Sequence, residues 1–155
     1  MSAVEVRVID VDTAGVHEIL AFAVGSEDHD RLQRAYEQYR TSGFVLAAAY
    51  LEELVVGVVG FLPGQDRTEL LHLATASEYR RRGVGKTLVE WLRGYSPGSD
   101  VVAETDRDAV AFYEATGFAV RPLGNKYPGV ERFEVARTPI VNDGSGSPRP
   151  PARNA

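Results

Sequence analysis

Two apolar runs, FVLAAAYL at 44–51 and LVVGVVGFL at 54–62, stand either side of a single polar pair, Glu52-Glu53. Nothing else in the chain narrows its fold so much. Short apolar runs rich in β-branched and aromatic residues, joined by two polar residues, read as an antiparallel β-hairpin. The hairpin sits in a longer order of elements. VEVRVI at 4–9 alternates as a strand does. Asp12 and Thr13 are candidate caps for a helix carrying Val16, Ile19, Leu20 and Ala23 on one side. After a turn-like acidic stretch at 25–30, Leu32, Ala35, Tyr36 and Tyr39 recur at helical spacing until Thr41-Ser42-Gly43.

Beyond the hairpin, Pro63-Gly64-Gln65-Asp66 is a turn and TELLHLATA at 68–76 a fourth strand. A helix opened by Gly83 carries Val84, Leu88, Trp91 and Leu92 and ends near Gly94. VVAET at 101–105 is a strand, DAVAFYEATGF at 108–118 a helix closed by Gly117, and FAVRPL and VERFEVAR a final pair of strands. A meander followed by a β-α-β-α-β stretch predicts an α/β fold with a mixed, twisted sheet of about seven strands and helices on both faces. Residues 1–137 form one expected domain. From Thr138 the chain holds almost no core-forming residues, so 138–155 is expected to be a disordered tail.

Charge and composition exclude several classes of function. The chain is 44% apolar and 25% charged, with a net charge of −5 and no cysteine. Disulfides, thiolate nucleophiles and cysteine-ligated zinc are therefore out. No apolar run approaches the ~20 residues of a membrane span, and the N-terminus lacks the pattern of a signal peptide. The expected setting is the cytoplasm, without nucleic-acid or membrane partners. Residues 1–66 hold eleven acids against four arginines, a balance of −7, whereas 67–99 hold six bases against three acids, a balance of +3. The basic segment suggests a local anion site, and the acidic first half favours a cationic small molecule.

The basic segment centres on Arg80-Arg81-Arg82-Gly83-Val84-Gly85-Lys86, between a strand and a helix. A helix start exposes unpaired N–H groups and the positive end of the helix dipole. Glycines there admit a ligand close to the backbone, and arginines add charge-assisted bonds to phosphate. Two nucleotide motifs fail. A P-loop needs glycine at position 80, which is arginine, and a dinucleotide fingerprint needs a third glycine at 88, which is leucine.

A third pattern fits. Arg80-x-x-Gly83-x-Gly85 resembles the [RQ]xxGx[GA] signature of the GNAT superfamily of acyl-CoA-dependent N-acetyltransferases. AVAFYEATGF at 109–118 resembles that family's second signature, and the likeness extends over roughly 4–137. It implies that the fourth and fifth strands splay to admit the pantetheine arm of acetyl-CoA along the backbone of Leu73, Ala74 and Thr75. The diphosphate would lie on N–H groups from Arg80, Arg81, Arg82, Gly83, Val84, Gly85 and Lys86. Tyr113 matches the family's usual acid for the departing thiolate. Asp106 stands where asparagine often contacts the cofactor, a departure that removes a donor and adds a charge beside a polyanion.

An alkyl amine with a pKa near ~10 is only about 0.1% neutral at pH 7, so a proton acceptor is needed. Several relatives hold a carboxylate at the position of Glu69. By strand alternation Glu69 shares a face with Thr75, six residues on, while His72 points to the other face unless a bulge intervenes. His72 is the second candidate. His17 and His29 lack partners at metal-ligand spacing, and no metal is expected.

By the resemblance, acceptor specificity resides in 25–43 and in the late hairpin, Asn125 to Val130, where Tyr127 is a candidate to close over the acceptor. Asp28, Asp30, Tyr36 and Tyr39 are candidates for a wall that favours a cationic amine. The implied activity is acetyl transfer from acetyl-CoA to a primary amine of a small molecule or a protein, by direct attack in a ternary complex, with a homodimer possible. The alternative is a non-catalytic acyl-CoA sensor or interaction module.

Overall fold

The structure, a computed structural model, describes residues 3–24, 29–127 and 130–139. Its elements run β1 (Glu5–Ile9), α1 (Val16–Val24), α2 (His29–Arg40), β2 (Val45–Leu51), β3 (Leu54–Leu62), β4 (Arg67–Thr75), α3 (Val84–Tyr95), β5 (Asp100–Thr105), α4 (Arg107–Ala115), β6 (Ala119–Tyr127) and β7 (Val130–Arg137). The strands form one sheet in the order β1-β2-β3-β4-β5-β7-β6. Only β4 and β5 run parallel; every other neighbouring pair is antiparallel. The expected mixed sheet of seven strands is present.

The hairpin supplies the second and third strands of this sheet, between β1 and the central β4. Leu51 pairs with Leu54 across the turn, and Glu52 and Glu53 both take positive φ, 51° and 70°. That is the handedness a two-residue hairpin loop needs to match strand twist. Two acidic residues hold it where glycine or asparagine is usual.

Two cores cover the two faces. On one, Val16, Ile19, Leu20 and Val24 of α1 and Leu32, Ala35 and Tyr39 of α2 pack on Leu46, Ala48, Val58 and Ala74 of the sheet. On the other, Val84, Leu88, Val89 and Leu92 of α3 and Tyr113 of α4 pack on Val56, Val59, Phe61, Leu70, Val101 and Val135. Gly57 lets α3 lie close: a Cβ there would stand 2.8 Å from Val84 Cγ1 and 3.1 Å from Leu88 Cδ1.

Some boundaries differ from those expected. Helix α1 starts at Val16, and Asp10, not Asp12, organises the turn before it by accepting the Asp12 N–H through its carboxylate (2.9 Å). Strand β6 continues past Leu123 to Tyr127, with irregular register around Gly124. The expected tail lies outside the described residues beyond Pro139. Thr138 is tied down, its carbonyl accepting a bond from the buried Arg93 (3.2 Å).

Candidate active site

The parting of β4 from β5 makes the site. The two strands pair at only three positions, Arg67 with Asp100, Thr68 with Val101 and Glu69 with Val102. Beyond these β4 runs to Thr75 and β5 to Thr105 without further pairing between them. Each keeps its other neighbour, β3 and β7 respectively. The unpaired edge of β4 therefore faces an opening, and its main-chain groups there need a partner. A cleft of about 300 Å³ marks the fork, lined among others by Glu69, Leu71, Val102 and Glu104.

A bulge sits at that fork and corrects one expectation. Gly60 pairs with His72 and Phe61 with Leu70, so Leu71 is an extra residue in β4. The bulge reverses the alternation beyond it. Leu70 and Leu73 pack in the α3/α4 core, and the Thr75 hydroxyl lies toward Gly85 of α3. His72 reaches Tyr39 of α2, and Ala74 belongs to the α1/α2 core. Glu69, next to Leu70, thus projects on the same face as His72 and opposite to Thr75. The two candidate bases are brought to one side; Glu69 and Thr75 are not.

His72 is half-buried and engaged. The Tyr39 hydroxyl crosses Gly60, where any Cβ would collide with it, and pairs with His72 Nδ1 at 2.6 Å. Burial, followed by the positive charge of Arg31, lowers the His72 pKa to about 4, so the ring is neutral at physiological pH. Burial raises the Tyr39 phenol far above its ordinary value.

The basic turn lies at the far end of β4. A single 3-10 turn, Ser77–Tyr79, leads into it, a detail the sequence pattern did not show. The three arginines do not stack. Arg80 lies 5.5 Å from the Phe22 ring and donates to the Thr75 carbonyl (3.2 Å), Arg81 has a φ of 65°, and Arg82 lies over Tyr79 at 5.4 Å. Thr75 therefore has its carbonyl occupied. The Ala76 N–H bonds to the Val56 carbonyl of β3 (2.9 Å), so by alternation Ala74 also turns its main chain to β3. Leu73 and the Thr75 N–H are left facing the fork.

Gly83 caps α3 at φ 83° with no side-chain cap, and the Thr87 N–H bonds to its carbonyl (2.9 Å). The N–H groups of Val84, Gly85 and Lys86 precede that bond and are donors without an acceptor inside the helix. Gly83 is open, with nothing within 4 Å of a Cβ. Gly85 has a packing reason instead: a Cβ there would stand 3.1 Å from the Phe112 ring of α4.

Tyr113 is buried in the core of that side, its ring against Phe112 and Phe118. Burial, then the negative charge of Asp106, pushes its phenol up to about 12, so it stays protonated as a donor must. Among the described residues no fully buried side-chain N or O atom lacks a partner, and the Tyr113 hydroxyl bonds to none of them, so it keeps an opening. Asp106 has a task that needs no cofactor. It caps α4, its carboxylate accepting the Ala109 N–H (3.1 Å), where a negative charge suits the helix dipole.

The expected acceptor wall is arranged differently. A second cavity, about 230 Å³, opens on the α1/α2 face and is lined by Val24, Arg31, Arg34, Ala35, Gln38 and His72. Tyr39 is buried beneath it, and Tyr36 turns to His17, to whose ring its hydroxyl is bonded, and to Arg40. Asp30 is exposed outside the lining, and Asp28 lies outside the described residues. Among the described residues the lining is basic, with Arg31 and Arg34 and no acid. The spacing Arg31, Arg34, Gln38 on one helix face is the signal that sequence reasoning passed over. Tyr127 ends β6, and Pro128 and Gly129 lie outside the described residues. Among the described residues no three His, Asp or Glu side chains gather as a metal site, and no helix is long and apolar enough to cross a membrane.

The forked parallel strand pair lies beside an uncapped helix start. The sequence model of the Acetyltransferase (GNAT) family matches residues 13–118, and the chain belongs to that family. It is 36% identical to human N-acetyltransferase 8 over 106 residues, 59% of this chain and 44% of that protein. To rat N-acetyltransferase 8B it is 34% identical over 114 residues, 64% and 48% of the two chains. The chain thus spans about half the length of these relatives. Its fold resembles that of an aminoglycoside 6'-N-acetyltransferase solved with coenzyme A, with a TM-score of 0.72 at 19% identity over 89% of this chain and 98% of that one.

Proposed function

We propose that the protein transfers an acetyl group from acetyl-CoA to a primary amine. The observation that carries this reading is the β4/β5 fork: it leaves a strand edge to pair with pantetheine amides and leads to the N–H donors of Gly83 to Lys86 for the diphosphate. The residues fit such a cofactor. Leu73 and the Thr75 N–H offer main chain along the fork, Arg80, Arg81 and Arg82 are exposed for charge-assisted bonds, and the acyl end would lie toward the bulge. Bound acetyl-CoA supplies an activated carbonyl as a thioester.

In the direct reaction the amine nitrogen bonds to the carbonyl carbon and the carbon–sulfur bond breaks. The chain's own work is proton management. Glu69 and His72, on one face beside the fork, are the groups positioned to take the ammonium proton, directly or through water. Burial weakens the His72 imidazole as a base. Tyr113 holds the proton that the departing sulfur needs. The relatives' names as N-acetyltransferases support the same reading.

Thiol release across an amine panel tests it. Tyr113→Phe keeps the ring packing and removes the donor, so kcat is expected to fall about 100-fold or more with the melting temperature nearly unchanged. Tight CoA binding with no thiol on any amine, and Tyr113→Phe identical to the parent, would establish a non-catalytic acyl-CoA sensor instead.

A further inference from the structure

Apart from His72, the residues of the basic cavity have no part in the proposed transfer. Arg31, Arg34, Ala35 and Gln38 line it from α2 at positions i, i+3, i+4 and i+7, a single stripe of the helix. Val24 and His72 complete it, and among the described residues no carboxylate lines it. Arg34 makes no hydrogen bond or ion pair with a described residue. A guanidinium is always charged and presents its donors as a planar fork that matches a carboxylate. Gln38 adds amide donors, and with Nδ1 engaged by Tyr39, His72 offers its Nε2. Val24 and Ala35 supply an apolar wall for a carbon chain.

The position of the cavity matters as much as its charge. His72 follows Leu71, and Leu71 lines the cleft at the strand fork. The cleft and the cavity therefore meet across one peptide bond, with Glu69 on the same face. We infer that Arg34, with Gln38 and His72, binds a carboxylate of the acceptor, so that the acetylated amine belongs to a zwitterionic or anionic molecule. The identity of the acceptor rests on the acetyl-transfer reading; the carboxylate site does not.

Two measurements on the full chain test this separately. Hexanoate is titrated into histidine-labelled protein while the His72 ring is followed by NMR, with His72→Gln assigning the signal. A saturable shift is expected, with the apparent Kd raised about tenfold or more in Arg34→Gln and unchanged in Arg121→Gln, which removes equal charge from the exposed face of β6. Turnover is then compared for phenylalanine against phenylalaninamide and for 6-aminohexanoate against its amide. The acid of each pair is expected to lead in kcat/KM by about tenfold, a ratio that collapses in Arg34→Gln and survives in part in Arg34→Lys.

A His72 ring indifferent to hexanoate, a shift equal in Arg34→Gln, or preference for the amides would overturn the inference. Tighter binding of inorganic phosphate than of hexanoate would overturn the carboxylate assignment. A hexanoate site that depends on Arg34, in a protein that acetylates no amine, would refute acetyl transfer and uphold the carboxylate site.

Discussion

His72 shows how one extra residue changes what a strand can do. Without the Leu71 bulge, His72 and Glu69 would stand on opposite faces of β4; with it they share the face toward α2. Alternation in TELLHLATA could not show this, because a bulge is set by pairing with β3 rather than by the strand's own pattern. Tyr113 and Gly83 were legible, since each sits inside a local motif whose geometry is its own. Arg34 was not, because a charge on a helix reads as a solvated face until the fold sets Val24 and His72 beside it. Burial of His72 has a consequence for stability. Its folded pKa of about 4 lies below the unfolded 6.5, so between these values the unfolded chain binds the proton and the folded one does not. The His72 contribution is therefore fully present above pH 6.5 and is lost as pH falls toward 4, a change on the order of 3 kcal/mol. Denaturant titrations at pH 7.5, 6 and 5 should show this slope, and His72→Gln should flatten it.

The elements follow from local rules where packing only confirms them. The β2–β3 hairpin was legible from two apolar runs and a two-residue turn. Its cost was not: Glu52 and Glu53 hold positive φ against their Cβ atoms, and Glu53 compensates only through an exposed contact with Arg7 (3.3 Å). Glu53→Gly is expected to raise stability by about 1 kcal/mol in equilibrium unfolding, without altering turnover. A loss of stability would show that the Arg7 contact outweighs the strain. Gly57 acts in the opposite sense. A methyl there meets Val84, Leu88 and the Ala74 carbonyl together, so Gly57→Ala should cost about 1–3 kcal/mol. Because Val84 is the first residue of α3, the same change should also weaken CoA binding; calorimetry would register both a lower melting temperature and a larger Kd. The fork between β4 and β5 was expected only through family resemblance, since no feature of either strand's sequence says where pairing with the other stops.

At the scale of the molecule, the far side of α3 is locked while its start is left open. Arg93, 6% exposed, pairs with Glu90 (3.0 Å) and with the Thr138 carbonyl, and Arg137 of β7 pairs with the same Glu90 (2.9 Å) and with the Thr116 carbonyl. This network ties α3, the end of α4 and the last strand together. Glu90→Ala leaves two guanidiniums facing each other, one of them buried, and should cost about 3 kcal/mol in chemical denaturation while CoA still binds. A loss below about 0.5 kcal/mol would mean that the remaining carbonyl contacts suffice. The anchored helix presents its uncapped N-terminus beside the forked sheet, and on the proposed function main chain at these two places holds acetyl-CoA. The most direct test is backbone amide NMR during titration with CoA. The largest shifts are expected at Leu73, Thr75 and Gly83 to Lys86, and should weaken as salt is raised. Saturable binding that leaves those amides unmoved, or shifts concentrated on another face of the sheet, would contradict it.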